Sequence, residues 1–246
     1  MIRTEDPDIL IHPRKEKKEK SIPETGILLV NPPEARNAHS IFRKAQAESR
    51  FLFNSNLSVA SDGSCFVVGP SIGAPMAVMT MEKLIALGAS TIVLFGWCGA
   101  ISRALSVGDV VIPDLALSGE GTSRYYGATS IIEPSLTLNG SLRSFLRESG
   151  ISSMDGCVWS TDAIYRENRK MLRELQSEKN VSAVDMEFSA LCSVARFRGI
   201  QFSAVLMVSD ELWGESWNPG FSSANFKKQC RDVITTLFEY KKNDYL

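Results

Sequence analysis

Histidine is nearly missing from this chain: only His12 and His39 stand among its 246 residues. The five cysteines, Cys65, Cys98, Cys157, Cys192 and Cys230, lie far apart, and none forms a CxxC pair. So few ligands at such spacing exclude a zinc module, and an odd, scattered set of thiols excludes a disulfide framework. No metal site is expected. A surplus of one charge is also missing. The chain has 27 Lys and Arg against 28 Asp and Glu, a formal net charge of −1. A nucleic-acid binder would usually carry a basic face, so nucleic acid is not an expected partner. No apolar run reaches the roughly 20 residues of a membrane span. Residues 1–20 are polar and lack the apolar core of a secretory leader. The expected compartment is the cytoplasm, with no membrane partner. No repeat and no linker interrupts the chain. The reading divides a polar N-terminal segment, 1–25, from one domain, 26–246.

What is present is a regular alternation of short apolar runs and amphipathic stretches. Residues 26–30, 91–95, 107–113, 181–184 and 202–208 read as strands, several of them buried on both faces. Residues 57–60 and 65–68 read as a hairpin around Ser61-Asp62-Gly63. Residues 34–50, 73–87, 136–148, 165–176, 187–198 and 224–241 read as helices. Gly96-Trp97-Cys98-Gly99 reads as a glycine-flanked turn. Residues 14–20 (RKEKKEK) read as a solvated segment or short helix. Alternating strands and helices predict one α/β domain with a mostly parallel sheet.

Two acidic groups sit where such a sheet binds ligands. Asp185-Met186-Glu187 follows the run 181–184, and Ser209-Asp210 follows 202–208. Ligands occupy the carboxyl ends of the strands in open α/β sheets. Glu187 and Asp210 are therefore expected to face one crevice. A carboxylate pair there can hold a sugar's hydroxyls and move a proton on or off a ring nitrogen.

Five motifs, in order, resemble the purine nucleoside and uridine phosphorylase family. They are Gly69-Pro70-Ser71-Ile72-Gly73-Ala74-Pro75; Gly96-Trp97-Cys98-Gly99-Ala100-Ile101; Val107-Gly108-Asp109-Val110-Val111; Ser160-Thr161-Asp162-Ala163-Ile164-Tyr165; and Asp185-Met186-Glu187. The resemblance covers roughly residues 26 to 240. It implies a single domain with a mixed sheet, partly closed as a barrel and flanked by helices. It also implies a homo-oligomer, dimer or hexamer, that cleaves the N-glycosidic bond of a nucleoside with phosphate or, in a nucleosidase branch, with water. By carry-over, Glu187 accepts from the ribose hydroxyls and Met186 packs on the sugar. Asp185, Ile164, Tyr165, Ser209 and Trp97 complete the substrate site, with Trp159 or Tyr165 compensating for an aliphatic Ile164. Ser209-Asp210 matches the purine branch, where pyrimidine-specific relatives place Asn-Arg. Asp210 then delivers a proton to N7 as the bond breaks. The loop 211–220, with Trp213 and Trp217, reads as a lid or an oligomer contact.

The phosphate site departs from the family pattern. Arg36 keeps one arginine, and Arg50 matches one that reaches in from a neighbouring subunit. Pro32 replaces a glycine and offers no N–H. Leu94 replaces a second arginine, and Trp97 a hydroxyl residue. Glu34 lies in the region where the nucleosidase branch carries a water-activating glutamate, but its register is not the family's, and it reads first as a first-turn helix residue favoured by the dipole. The resemblance thus implies phosphorolysis of a purine nucleoside, with inorganic phosphate as co-substrate and no other cofactor. Hydrolysis by water and nucleoside binding without turnover are the alternatives.

Overall fold

The computed structural model describes residues 8–52, 54–128 and 130–240. Within them, twelve strands form one mixed sheet flanked by six α-helices. The central strand is β5 (Thr91–Ala100). It runs parallel to β1 (Thr25–Leu29) on one side and to β11 (Gln201–Glu211) on the other, and its last residues pair antiparallel with β10 (Val181–Asp185). Beyond β1 lie β4 (Phe66–Gly69), β3 (Ser55–Val59) and the edge strand β2 (Glu48–Leu52). Beyond β10 lie β9 (Cys157–Ser160), β7 (Leu115–Ser118) and β8 (Ile131–Ile132). The short β6 (Val110–Val111) and β12 (Asn218–Pro219) pair with β11. The order is a branched, open path, and no closed ring of ladders forms among the described residues.

Alternation along the central strands builds two cores. Leu28, Leu94 and Leu206 face α2 (Ala74–Leu87) and α5 (Phe188–Arg198). Leu29, Phe95 and Val205 face α1 (Pro32–Lys44), α3 (Leu136–Glu148) and α6 (Ala224–Tyr240). Both faces are covered, which is why these strands are nearly continuous apolar runs.

Several expected elements have other bounds. The helix expected over 34–50 starts two residues earlier and ends at Lys44; Gln46 then takes φ 58 and the chain turns back into β2. The pattern missed β2 because an edge strand with exposed Phe51 lacks a buried face. The turn expected at residues 96–99 is the continuation of β5, so Cys98 is a buried strand residue whose thiol is pushed up by burial. The strand expected over 107–113 contracts to β6. The helix expected over 165–176 is a 3-10 turn, Ile164–Arg166, followed by α4 (Arg169–Lys179), whose start is capped by Asn168 accepting from the Met171 amide at 3.1 Å. Residues 14–20 form an exposed turn, tied to α2 by Lys83 to Glu19 at 2.6 Å. Residues 1–7 and the expected helix end at 241 lie outside the described residues. No helix among the described residues is long and apolar enough to cross a membrane.

Candidate active site

Strand register brings the two acidic motifs together. Gly99, near the end of β5, pairs with Val184 of β10 on one side and with Asp210 of β11 on the other. The residue after Val184 and the Asp210 partner itself are thus delivered to one place. A slip in register between Val208 and Asp210 turns Ser209 out of the ladder there. At Gly99 a Cβ would stand 2.8 Å from Leu212 Cδ1 and 3.3 Å from Asp210 Oδ2, so a side chain there would press on both.

A cavity of about 590 Å³ opens at this point, within the range of small-molecule sites. Asp185, Met186, Glu187, Ser209, Asp210, Trp97, Ile164 and Tyr165 all line it, so the strand-end residues expected from sequence converge. Trp159 does not; it is buried in a separate cluster with Leu117 and Leu172, and cannot compensate for Ile164. The aromatic supplied at the mouth is Trp217 of the loop 211–220.

Glu187 is buried at the start of α5, and its Oε1 accepts from the Gly73 amide at 2.6 Å. Gly73 presents that amide with φ 85, a backbone region that glycine enters without strain. Burial, then the charge of Asp185, raises the Glu187 carboxyl to about 8. Asp185 is also buried and also raised, chiefly by burial. Its oxygens are taken by the protein: Ser160 Oγ donates at 2.5 Å, and the amides of Glu187 and Phe188 donate at 3.1 and 2.7 Å. Asp185 thus caps α5, where a carboxylate complements orphan amides and the helix dipole, and it fixes where Glu187 points. Behind it, Ser160 accepts from the Ser189 amide at 2.9 Å, and Ser189 Oγ donates to buried Glu120 at 2.9 Å. Serine hydroxyls hold Glu120 below the usual carboxylate range against its burial.

Asp210 is half-buried. Its Oδ1 accepts from Ser209 Oγ at 2.6 Å and its Oδ2 from Trp217 Nε1 at 2.8 Å. The loop 211–220 is held over the cavity by this bond and by Arg169 donating to the Glu215 carbonyl. Trp97 also lines the cavity, stacked on Phe221 at 6.0 Å and edge-on to Phe226 at 5.3 Å.

Within the single chain, neither expected phosphate-binding arginine lines the cavity. Arg36 is exposed on α1, and Arg50 on β2 donates to the Lys20 carbonyl at 2.7 Å. Glu34 is buried outside the lining, with Oε2 unpartnered and its carboxyl raised to about 7 by burial.

Sequence reasoning missed Glu120, Glu167, Gly73 as a donor, and the Trp217 contact. Glu120 carries no sequence signal: two of its partners, Ser118 and Ser123, are ordinary neighbours in the chain, and the third, Ser189, is far away in sequence. Glu167 was hidden in a stretch read as helix. Trp217 was legible only as part of an aromatic loop.

A family model described as the phosphorylase superfamily matches residues 25–239. Guanosine phosphorylase of Halorubrum lacusprofundi is 27% identical over 182 residues, 72% of this chain and 74% of that relative. Purine nucleoside phosphorylase from Toxoplasma gondii, solved with immucillin-H, superposes with a TM-score of 0.79 at 19% identity, covering 98% of each chain. Futalosine hydrolase of Helicobacter pylori superposes with a TM-score of 0.75 at 18% identity, covering 90% of this chain and 99% of the other. At those identities the two structures speak to the fold alone.

Proposed function

The chain belongs to the phosphorylase superfamily, and on that footing we propose that it cleaves the N-glycosidic bond of a purine nucleoside with water as the acceptor. The relative named above is a guanosine phosphorylase, and a fold neighbour is named a hydrolase, so both acceptors occur among its likenesses. One observation carries the choice. Four carboxylates line the cavity, Glu167, Asp185, Glu187 and Asp210, against the single guanidinium of Arg169. Arg169 is itself engaged by Glu215. A phosphate dianion entering such a site finds no free cation among its described residues: the carboxyls repel it when ionised and offer no compensating charge when protonated, as Glu187 is at neutral pH, and bidentate arginine contacts are what usually hold it. Water carries no such penalty. Sequence reading alone ranked phosphate first; the charge lining the cavity supports the reverse order.

The chemistry assigned to each group follows from its place. Glu187 accepts from ribose hydroxyls, because an ionised carboxylate has acceptors only. Asp185 and the Gly73 amide position it. As the C1–N9 bond breaks, its electron pair moves into the purine, and Asp210 delivers a proton to N7. Water adds to C1 from the free face, and the proton it sheds restores Asp210. General-acid help of this kind is worth about 10²–10⁴-fold.

The test is base release from purine and pyrimidine nucleosides without phosphate, for the wild type and Asp210→Asn. Purine release that falls by about 10²-fold or more in the variant supports the assignment. Equal release by both proteins removes Asp210 from the chemistry. No release from any nucleoside would leave a binding protein on this scaffold.

A further inference from the structure

The ends of three neighbouring strands stand in one row. Ser118 of β7 pairs with Ser160 of β9, and Ser160 pairs with Asp185 of β10. The first turn of α5 is bonded to that row. The Ser189 amide donates to Ser160 Oγ at 2.9 Å, and the Phe188 amide to Asp185 Oδ2 at 2.7 Å. Glu120 follows two residues after Ser118. It is buried, and it does not line the cavity. Its donors are hydroxyls and amides. The Ser118 and Ser189 hydroxyls donate to Oε1 at 2.9 Å each, the Ser123 hydroxyl donates to the same oxygen, and the amides of Thr122 and Ser123 donate to Oε2 at 2.5 and 3.0 Å. So many donors keep a buried carboxylate ionised without a counter-ion. Four of them come from the loop around Glu120 itself. The fifth, Ser189, belongs to α5 and lies two residues from Glu187.

We propose that Glu120 is a positioning residue for Glu187: by taking the Ser189 hydroxyl it locks the first turn of α5, so that the Glu187 carboxylate meets the cavity in one place. Glu187 itself is lightly held. Its carboxylate has the Gly73 amide as donor, and its own amide is bonded to Asp185 at 3.1 Å. Asp185 grips the turn by its backbone amides, as a helix cap does. Glu120 grips the same turn by a side chain, through a bond that the cap does not supply. Two grips fix the turn where one leaves it free to roll, and a carboxylate misplaced by about an ångström loses much of its effect. The ionisable groups set around this turn are Asp185 on β10, Asp162 bonded to the Gly121 amide, Cys98 on β5 and Cys192 within α5, all of them acids. The nearby charge of Glu120 accordingly adds to the burial that raises Asp185. That Glu187 accepts from ribose rests on the proposed function; the lock on α5 does not.

The experiment has two arms, both on the full chain. The first follows the glutamate side-chain carboxyls of the empty protein by ¹³C NMR, with the Glu187 signal identified by its loss in Glu187→Gln. In the wild type that signal should titrate at about 8. Glu120→Ala and Ser189→Ala both break the tie, and the second keeps the other donors to Glu120 in place should the first fail to fold. Each should free Glu187 toward solvent and lower its midpoint by about one pH unit or more. Glu120→Gln keeps an acceptor for the Ser189 hydroxyl and should recover most of that shift. The second arm is equilibrium binding of inosine and 2′-deoxyinosine. The wild type should favour the ribonucleoside by about tenfold, as for one charge-assisted hydrogen bond, and both alanine variants should lose most of that preference. A Glu187 midpoint unchanged in both alanine variants, or a ribose preference undiminished in both, overturns the proposal, whatever their melting temperatures. A shifted midpoint in a protein whose wild type binds neither nucleoside leaves the lock standing and contradicts the proposed function.

Discussion

In the proposed site, Glu187 would bind ribose and its own proton in competition. Burial and the neighbouring Asp185 hold its carboxyl up at about 8, so the empty site is protonated at neutral pH. Ribose hydroxyls are donors and need the ionised form. Nucleoside affinity should therefore climb as pH rises toward 8 and level off above it, by up to tenfold per unit below that value. Glu187→Gln should flatten this limb of the profile while weakening binding throughout. A wild-type affinity that stays constant between about pH 6 and 8 would contradict the assignment. Gly99 makes a second residue-scale prediction. Gly99→Ala drives a Cβ against Leu212 and toward Asp210 Oδ2. It should cut turnover by about tenfold or more, since a small misplacement of a reacting group is expensive. Turnover equal to wild type would show that the close approach does not matter.

At the scale of elements, the start of α1 holds a buried acid outside the cavity. Glu34 is 2% exposed, and one of its carboxylate oxygens has no partner. Its carboxyl is raised to about 7 in the folded chain against 4.5 ordinarily. The sign follows directly. Below about 4.5 the group is neutral in both states and costs nothing. As pH rises toward 7 the unfolded chain releases its proton first, so stability falls and then levels off. Glu34→Gln should stabilise the fold at pH 8 by as much as about 3 kcal/mol, with the two melting curves converging near pH 4. A variant no more stable than wild type at pH 8 would mean that the carboxylate has partners in solution. Glu34 does stand in the first turn of α1, as the dipole reading has it, and it is buried there.

Which elements were legible has a physical pattern. Val181–Asp185 and Gln201–Glu211 were legible because they are buried over most of their length and the runs 181–184 and 202–208 within them are mostly apolar. The helices α2, α3 and α5 were legible from spacing and from closing residues such as Gly88 and Gly199. β2 was not, because ESRFL on an edge has no face to bury. The reach of β5 through Gly96 and Gly99 was not, because glycines that admit a neighbour look like turn glycines in sequence. At the site, Glu187 and Asp210 could be placed by strand-end logic. Glu167 could not, because nothing in the string ENRK distinguishes a residue facing a cavity from a solvated one. Glu120 could not, because its burial depends on α5, whose Ser189 is far from it in sequence, and its local partners Ser118 and Ser123 look like loop serines.

At the scale of the molecule, near-neutral overall charge conceals a local imbalance. The net charge is −1, yet the cavity gathers four carboxylates around one guanidinium. Arg36 and Arg50 point away from it in a single chain. That distribution, not the identity of any one residue, is the ground on which we propose water rather than phosphate as the acceptor. The most direct check follows the fate of the sugar by ³¹P NMR while a purine nucleoside is consumed in excess inorganic phosphate. The account predicts that free base accumulates with free ribose and that no new phosphate monoester signal appears. Ribose 1-phosphate formed in step with the base would contradict it, and would place a phosphate-binding arginine in the working cavity after all.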